Sequence, residues 1–130
     1  MKYLLVLIGA LFALTVSPAF AGSPHFVGDP VFTVSGNTLT VTGKIAGLGD
    51  EDQVHVVLTA DALCINGGGN HPQAENKGAT IAQGDFPVQN GQTTFTLSGT
   101  AVTDPACNPP MHLVYSNATV TDTTHGISFP

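Results

Sequence analysis

Residues 53–64 read Gln-Val-His-Val-Val-Leu-Thr-Ala-Asp-Ala-Leu-Cys. Val54, Val56 and Leu58 alternate with His55, Val57 and Thr59, which sets three apolar side chains on one face at the strand period of two. β-Branched residues fill the run, as a pleated, half-buried surface favours. The pattern predicts the longest strand of the chain, with Val56 and Leu58 turned inward and Thr59 outward.

Shorter alternating runs surround it. Val31–Ser35 and residues 38–43 are separated by Gly36-Asn37, the two-residue spacing of a tight hairpin, with Leu39 and Val41 facing one way. His25-Phe26-Val27 predicts a short edge strand closed by Gly28-Asp29-Pro30. Residues 44–49 read as a glycine-punctuated connection. Asn90-Gly91 is a type I′ hairpin signal that launches residues 92–98, with Phe95 and Leu97 toward the core. Thr80-Ile81-Ala82 and Phe86-Pro87-Val88 flank a predicted turn at Gly84-Asp85. Residues 111–116 read as a strand, residues 117–121 continue it or turn into another, and Ile127–Phe129 makes a terminal strand. Residues 65–78 and 99–110 carry no apolar alternation and are predicted loops.

Nothing after residue 21 holds a 3.6-residue period long enough for a helix. Roughly six to eight short strands with turn signals between them predict an all-β fold, an antiparallel β-sandwich.

Residues 1–21 have the pattern of a secretory signal peptide. Lys2 supplies the positive start, residues 3–16 are apolar, and Ala19-Phe20-Ala21 fits the small-x-small cleavage rule. The apolar run is short for a ~30 Å membrane core and no basic stop-transfer flank follows it. The expectation is cleavage after Ala21, no membrane span in the mature chain, and a single secreted domain over residues 22–130. A domain of that size can bury roughly two-thirds of its unfolded surface.

Export changes the reading of the cysteines. Cys64 and Cys107 are the only two, so one intramolecular pairing is possible, and it predicts a Cys64–Cys107 disulfide. No Cys-x-x-Cys spacing supports a redox or thiolate–metal site. The formal net charge is −6, with Lys2, Lys44 and Lys77 the only basic residues besides histidine. Nucleic acid and anionic membrane both need a basic footprint, so neither is an expected partner. Without arginine there is no guanidinium fork for bidentate phosphate recognition.

Candidate chemistry is sparse. Asp50-Glu51-Asp52 lacks the alternating oxygen ligands of an EF-hand loop and reads as a solvated turn. Gly67-Gly68-Gly69 lacks the following helix and lysine of a phosphate cradle. Ser98 sits outside any Gly-x-Ser-x-Gly elbow. Asp61, Glu75 and Asp85 read as loop or strand-end acids with no sign of the facing pair that glycoside hydrolysis needs. Of the histidines His25, His55, His71, His112 and His125, no pair has a ligand spacing, and a metal needs three or more converging ligands. They read as scattered surface residues. His71 and His112 are the best-placed pair, because a Cys64–Cys107 bridge draws their loops together. Asn117-Ala118-Thr119 matches the glycosylation acceptor tripeptide.

Two stretches carry a resemblance. Residues 90–97, Asn-Gly-Gln-Thr-Thr-Phe-Thr-Leu, are similar to the turn and strand of immunoglobulin-like modules in bacterial surface proteins. Cys64 with Asn66-Gly67-Gly68-Gly69-Asn70, Pro72 and Asn76, and then Cys107-Asn108-Pro109, resembles a group of small secreted bacterial proteins of unassigned function. Gly67 stands where that group more usually has proline, and Met111-His112 where an aromatic residue tends to follow. The resemblance implies an immunoglobulin-like sandwich and no catalytic residues.

The expected function is that of a secreted, non-enzymatic module without a cofactor, binding a protein or glycan at the cell surface. Two alternatives are a small metal-binding protein using His71 and His112, and a structural subunit that assembles through open strand edges.

Overall fold

The structure is a computed structural model that describes residues 23–66 and 72–130. The proposed leader, residues 1–21, lies outside the described residues, as does His71. Eight strands follow one another: β1 (His25–Phe26), β2 (Val31–Ser35), β3 (Thr38–Ala46), β4 (Gln53–Ile65), β5 (Pro72–Pro87), β6 (Thr93–Gly99), β7 (His112–Asp122) and β8 (Ile127–Phe129). All pairings are antiparallel and form two sheets. In the first sheet β3 is central. β1 and β2 lie end to end along one side of it, and β6 runs along the other. The second sheet has the order β5-β4-β7-β8.

The alternation in the sequence decides which side of each sheet meets the other. Leu39, Val41 and Ile45 of β3 and Phe95 and Leu97 of β6 are buried. They face Val54, Val56, Leu58, Ala60, Ala62 and Cys64 of β4, with Leu113 and Val120 of β7, in one shared core. At position 43 the inward alternation calls for an apolar side chain and finds glycine. The Phe95 ring fills that space, because a Cβ on Gly43 would lie 2.6 Å from it. Phe26 and Phe86 make edge-to-face contacts with it, Phe129 makes one with Phe26, and Phe32 stacks on Phe129, geometries that aromatic quadrupoles favour.

Both predicted hairpins form. Ser35 pairs with Thr38 across Gly36-Asn37. Asn90 and Gly91 both take positive φ, 54° and 75°, as a type I′ turn requires. Residues 44–46, expected in a connection, extend β3, and residues 117–121 continue β7. Cys64 and Cys107 form the predicted disulfide, with 5.5 Å between their Cα atoms.

One region differs from expectation. β5 begins at Pro72 and runs sixteen residues, so the second half of the predicted 65–78 loop and the Gly84-Asp85 turn belong to a strand. The cause is a series of β-bulges, each of which moves the inward face by one residue and breaks the period-two pattern. Against β4, the register of β5 shifts near Leu58, near Asp61 and at Cys64. Gly78 takes the left-handed conformation, φ 63°, that the second of these bulges needs.

Asp61 stands where the two neighbouring strands bulge at the same level. Its Oδ1 accepts from the Gly78 N–H on β5 (2.7 Å), and its Oδ2 accepts from the Asn117 side-chain amide on β7 (2.8 Å). Asn117 is the extra residue of the β7 bulge, with φ 53°. The Asn117 bond, then the Gly78 bond, hold the Asp61 carboxyl below its ordinary pKa. Asp61 is therefore a mid-strand pin for both bulges, not the strand-end acid that its sequence position suggests.

Candidate functional site

The outward face of the first sheet is a row of hydroxyls, because every second residue of β3 and β6 is polar. Thr40 Oγ1 and Ser98 Oγ lie 2.7 Å apart, Thr42 and Thr96 hydroxyls 3.3 Å, and Thr38 and Thr100 hydroxyls 3.4 Å. Thr33 and Ser35 of β2 pair with Thr40 and Thr38 and widen the row to a third strand. Lys44 pairs with Thr94 as the next rung. There the row opens into a cleft of about 450 Å³ lined by Lys44, Pro87, Gln89, Asn90, Gln92, Thr93 and Thr94. The lining offers amides, hydroxyls and one ammonium group, and no carboxylate.

The cleft is framed by backbone hydrogen bonds. The Gln89 and Gln92 N–H groups each donate to the other's carbonyl, at 2.9 and 3.2 Å. The buried Thr93 hydroxyl donates to the Pro87 carbonyl (2.7 Å). Loop 47–52 braces the hairpin from behind. Its Leu48 N–H donates to the Gly91 carbonyl, and its Asp52 carbonyl accepts from Val88, both at 2.9 Å.

Loop 47–52 also reaches a second constellation. His125, in the β7–β8 turn, has its Nδ1 2.7 Å from Asp122 Oδ2 and its Nε2 2.8 Å from Glu51 Oε1. The Asp122 side chain is fully buried, and the His125 side chain is 15 % exposed. Burial pulls the His125 pKa down, and the bonds to Asp122 and Glu51 more than reverse this, so the net displacement is upward. His55 stands nearby. Its N–H donates to Thr124 Oγ1 (2.9 Å) and its carbonyl accepts from the Thr123 N–H (2.9 Å). The His55 ring lies between Asp85 (2.8 Å) and Gln83 (2.9 Å) of β5. The Asp85 bond, then the Gln83 bond, raise its pKa.

The expectation of five scattered surface histidines therefore changes at two positions, His55 and His125. The Glu51–His125 pairing spans 74 residues and has no sequence signal. Asp122-x-x-His125 was the only local trace. Asp50 and Asp52 are exposed as expected of a solvated turn, while Glu51 turns inward to His125. Asp85 serves His55, and Glu75 is exposed on β5.

His112 is exposed at the start of β7, opposite Ile65; its proposed partner His71 lies outside the described residues. Among the described residues no three histidine, cysteine or acidic side chains gather as a metal site, and no helix is long and apolar enough to cross a membrane.

Comparison of the chain with protein-family models, curated proteins and solved structures gave no match.

Proposed function

We propose that this chain is an exported, non-enzymatic β-sandwich module of the immunoglobulin-like kind, which binds a glycan at the cell surface through the first sheet. The observation that carries this reading is the continuity of the Thr/Ser row with the cleft at Lys44 and Asn90. A run of paired hydroxyls ending in convergent amides can exchange hydrogen bonds with a hydroxyl-rich partner while leaving little buried polar surface unmatched. The signal-peptide pattern of residues 1–21 and the disulfide fit an oxidising, extracellular setting. The phenylalanine rings at positions 26, 32, 86, 95 and 129 contact one another and belong to the core or its margin. Recognition therefore rests on hydrogen bonds and not on rings stacked against sugars.

The test is titration of ¹⁵N-labelled protein with soluble neutral and uronic-acid oligosaccharides. Amide shifts confined to Lys44, Gln89, Asn90, Gln92, Thr94 and Thr96, abolished in Gln92→Ala, are expected for at least one class. No shift with either class, or shifts centred on another face, overturns the glycan assignment. Shifts at this face with a surface protein and with no oligosaccharide would reassign the partner.

A second reading, assembly through strand edges, is favoured by one observation. Among the described residues β2 is paired on one side only, and Val27, Val31 and Val34 along that margin are about half exposed. β2 itself, Val31–Ser35, carries no charged residue, and an uncharged edge with exposed valines is a template for strand addition. Under this reading the elution volume of the protein should fall with rising concentration. Val31→Lys with Val34→Lys should hold it monomeric. A wild-type protein that stays monomeric at millimolar concentration rules this reading out.

A further inference from the structure

We propose that Glu51, His125 and Asp122 form a proton-operated clasp that regulates the cleft by holding or releasing loop 47–52. The regulatory part rests on the cleft being the binding site; the clasp itself does not. Both ring nitrogens of His125 face carboxylate oxygens, at 2.7 and 2.8 Å. Ionised carboxylates only accept hydrogen bonds, so both contacts are satisfied only when both nitrogens carry protons. A neutral imidazole has one N–H and can serve one carboxylate.

The structure also decides which contact is lost. Asp122 is fully buried, lies three residues away in the same turn, and also accepts from the His125 backbone N–H (3.2 Å). Leaving that buried carboxylate without the ring would be the costlier outcome. Glu51 is on a loop and its side chain is 39 % exposed. Its second oxygen, Oε2, is buried with no hydrogen-bond partner among the described residues, and the contact that holds the carboxylate is Oε1 to the ring. Once the Nε2 proton leaves, a lone pair faces Glu51 Oε1, and Glu51 moves out to water.

Release has a path to the cleft. The Glu51 N–H donates to the Leu48 carbonyl (3.3 Å), and Leu48 and Asp52 are the two residues that brace the hairpin at Gly91 and Val88. The charged groups in contact with the His125 ring are Asp122 from β7 and Glu51 from the loop. Asp50 and Asp52 flank Glu51 in sequence and are exposed. His55 of β4, bonded to Asp85 of β5, is joined to the same turn through Thr123 and Thr124. The direction follows from the raised folded-state pKa of His125. The clasp is complete below the ordinary histidine pKa and opens as pH rises through the raised one. His55 titrates in the same sense, so a variant must separate the two.

Glu51→Gln provides that separation. Its amide can accept from a protonated ring and donate to a neutral one, so it closes the clasp in both states. The experiment follows the His125 ring signals and amide exchange of the unliganded protein from pH 5 to pH 9. Protection factors at Leu48 and Val88 should fall several-fold in step with His125 titration, with Val41 in the core as an unchanged reference. In Glu51→Gln they should stay flat. Titration of His125 with constant protection at Leu48 and Val88, or the same fall in Glu51→Gln, overturns the clasp. Both readouts need no ligand, so failure to find a glycan leaves them standing. Once a glycan is found, its affinity should fall over the same pH range in the wild type and not in Glu51→Gln.

Discussion

Truncating Leu58 to Ala is expected to cost ~2–5 kcal/mol, the range for a buried leucine whose cavity only partly collapses. Leu58 is completely buried at the middle of β4, with Ala82 of β5 and Val120 of β7 opposite it. Val56 and Ala60 continue the same inward face. Thr59, one residue on, points to the other side and makes one long side-chain contact, 3.5 Å to the Thr119 carbonyl. Its replacement by Ala should stay within about 0.5 kcal/mol, as for surface changes that break no special feature. The contrast is the useful quantity, because a strand shifted by one residue would reverse it. Denaturant melts give both values from the midpoint and slope. A larger loss at Thr59 than at Leu58 would mean that β4 is turned over.

Cys64→Ser should lower stability by a similar amount through a different cause. The Cys64–Cys107 bridge closes a loop of 43 residues, and loop closure on that scale restricts the unfolded chain by about 4 kcal/mol in the chain-entropy account. For a domain of this length that corresponds to a midpoint lower by roughly 15–20 °C. The variant should still unfold cooperatively, because the bridge ties the 99–111 segment to the end of β4 while the strand pairings along β4 do not depend on it. That segment has further anchors. The Tyr115 hydroxyl donates to the Asn37 carbonyl (2.6 Å) and accepts from the Ala101 N–H, and the Asn76 side chain donates to the Val102 carbonyl. Calorimetry checks the shift. Two free thiols in the intact mass of the wild-type protein, purified without reductant, would remove the premise.

The hairpins at Gly36-Asn37 and Asn90-Gly91, the inward faces of β3, β4 and β6, and the disulfide were all legible. Each depends on neighbours along the chain or, for the cysteines, on a count that allowed one pairing. β5 was not legible because its inward positions pass from Ala74 and Asn76 to Ala79 and Ile81 and then to Gly84 and Phe86. An alternation interrupted every few residues looks like a loop. Gly78 and Gly84, read as punctuation, are a bulge residue and a residue beside Phe86 and Leu97 in the core margin. Asp61 read as a loop or strand-end acid. Its role depends on two strands, β5 and β7, that reach it from distant parts of the chain.

The candidate site divides along the same line. Local pattern alone determined that the described residues are all-β, that Leu39, Val41, Phe95 and Leu97 turn inward, and that a hairpin turn forms at Asn90-Gly91. Side-chain alternation and turn preference act over two to four residues, so they are written in consecutive letters. Only the tertiary structure decided that Lys44 and Thr94 share a rung, that loop 47–52 braces the hairpin, and that Glu51 meets His125 from 74 positions away. Those contacts follow from which strands pair and in what register. Burial of the whole core sets that register, and no short stretch of sequence holds it.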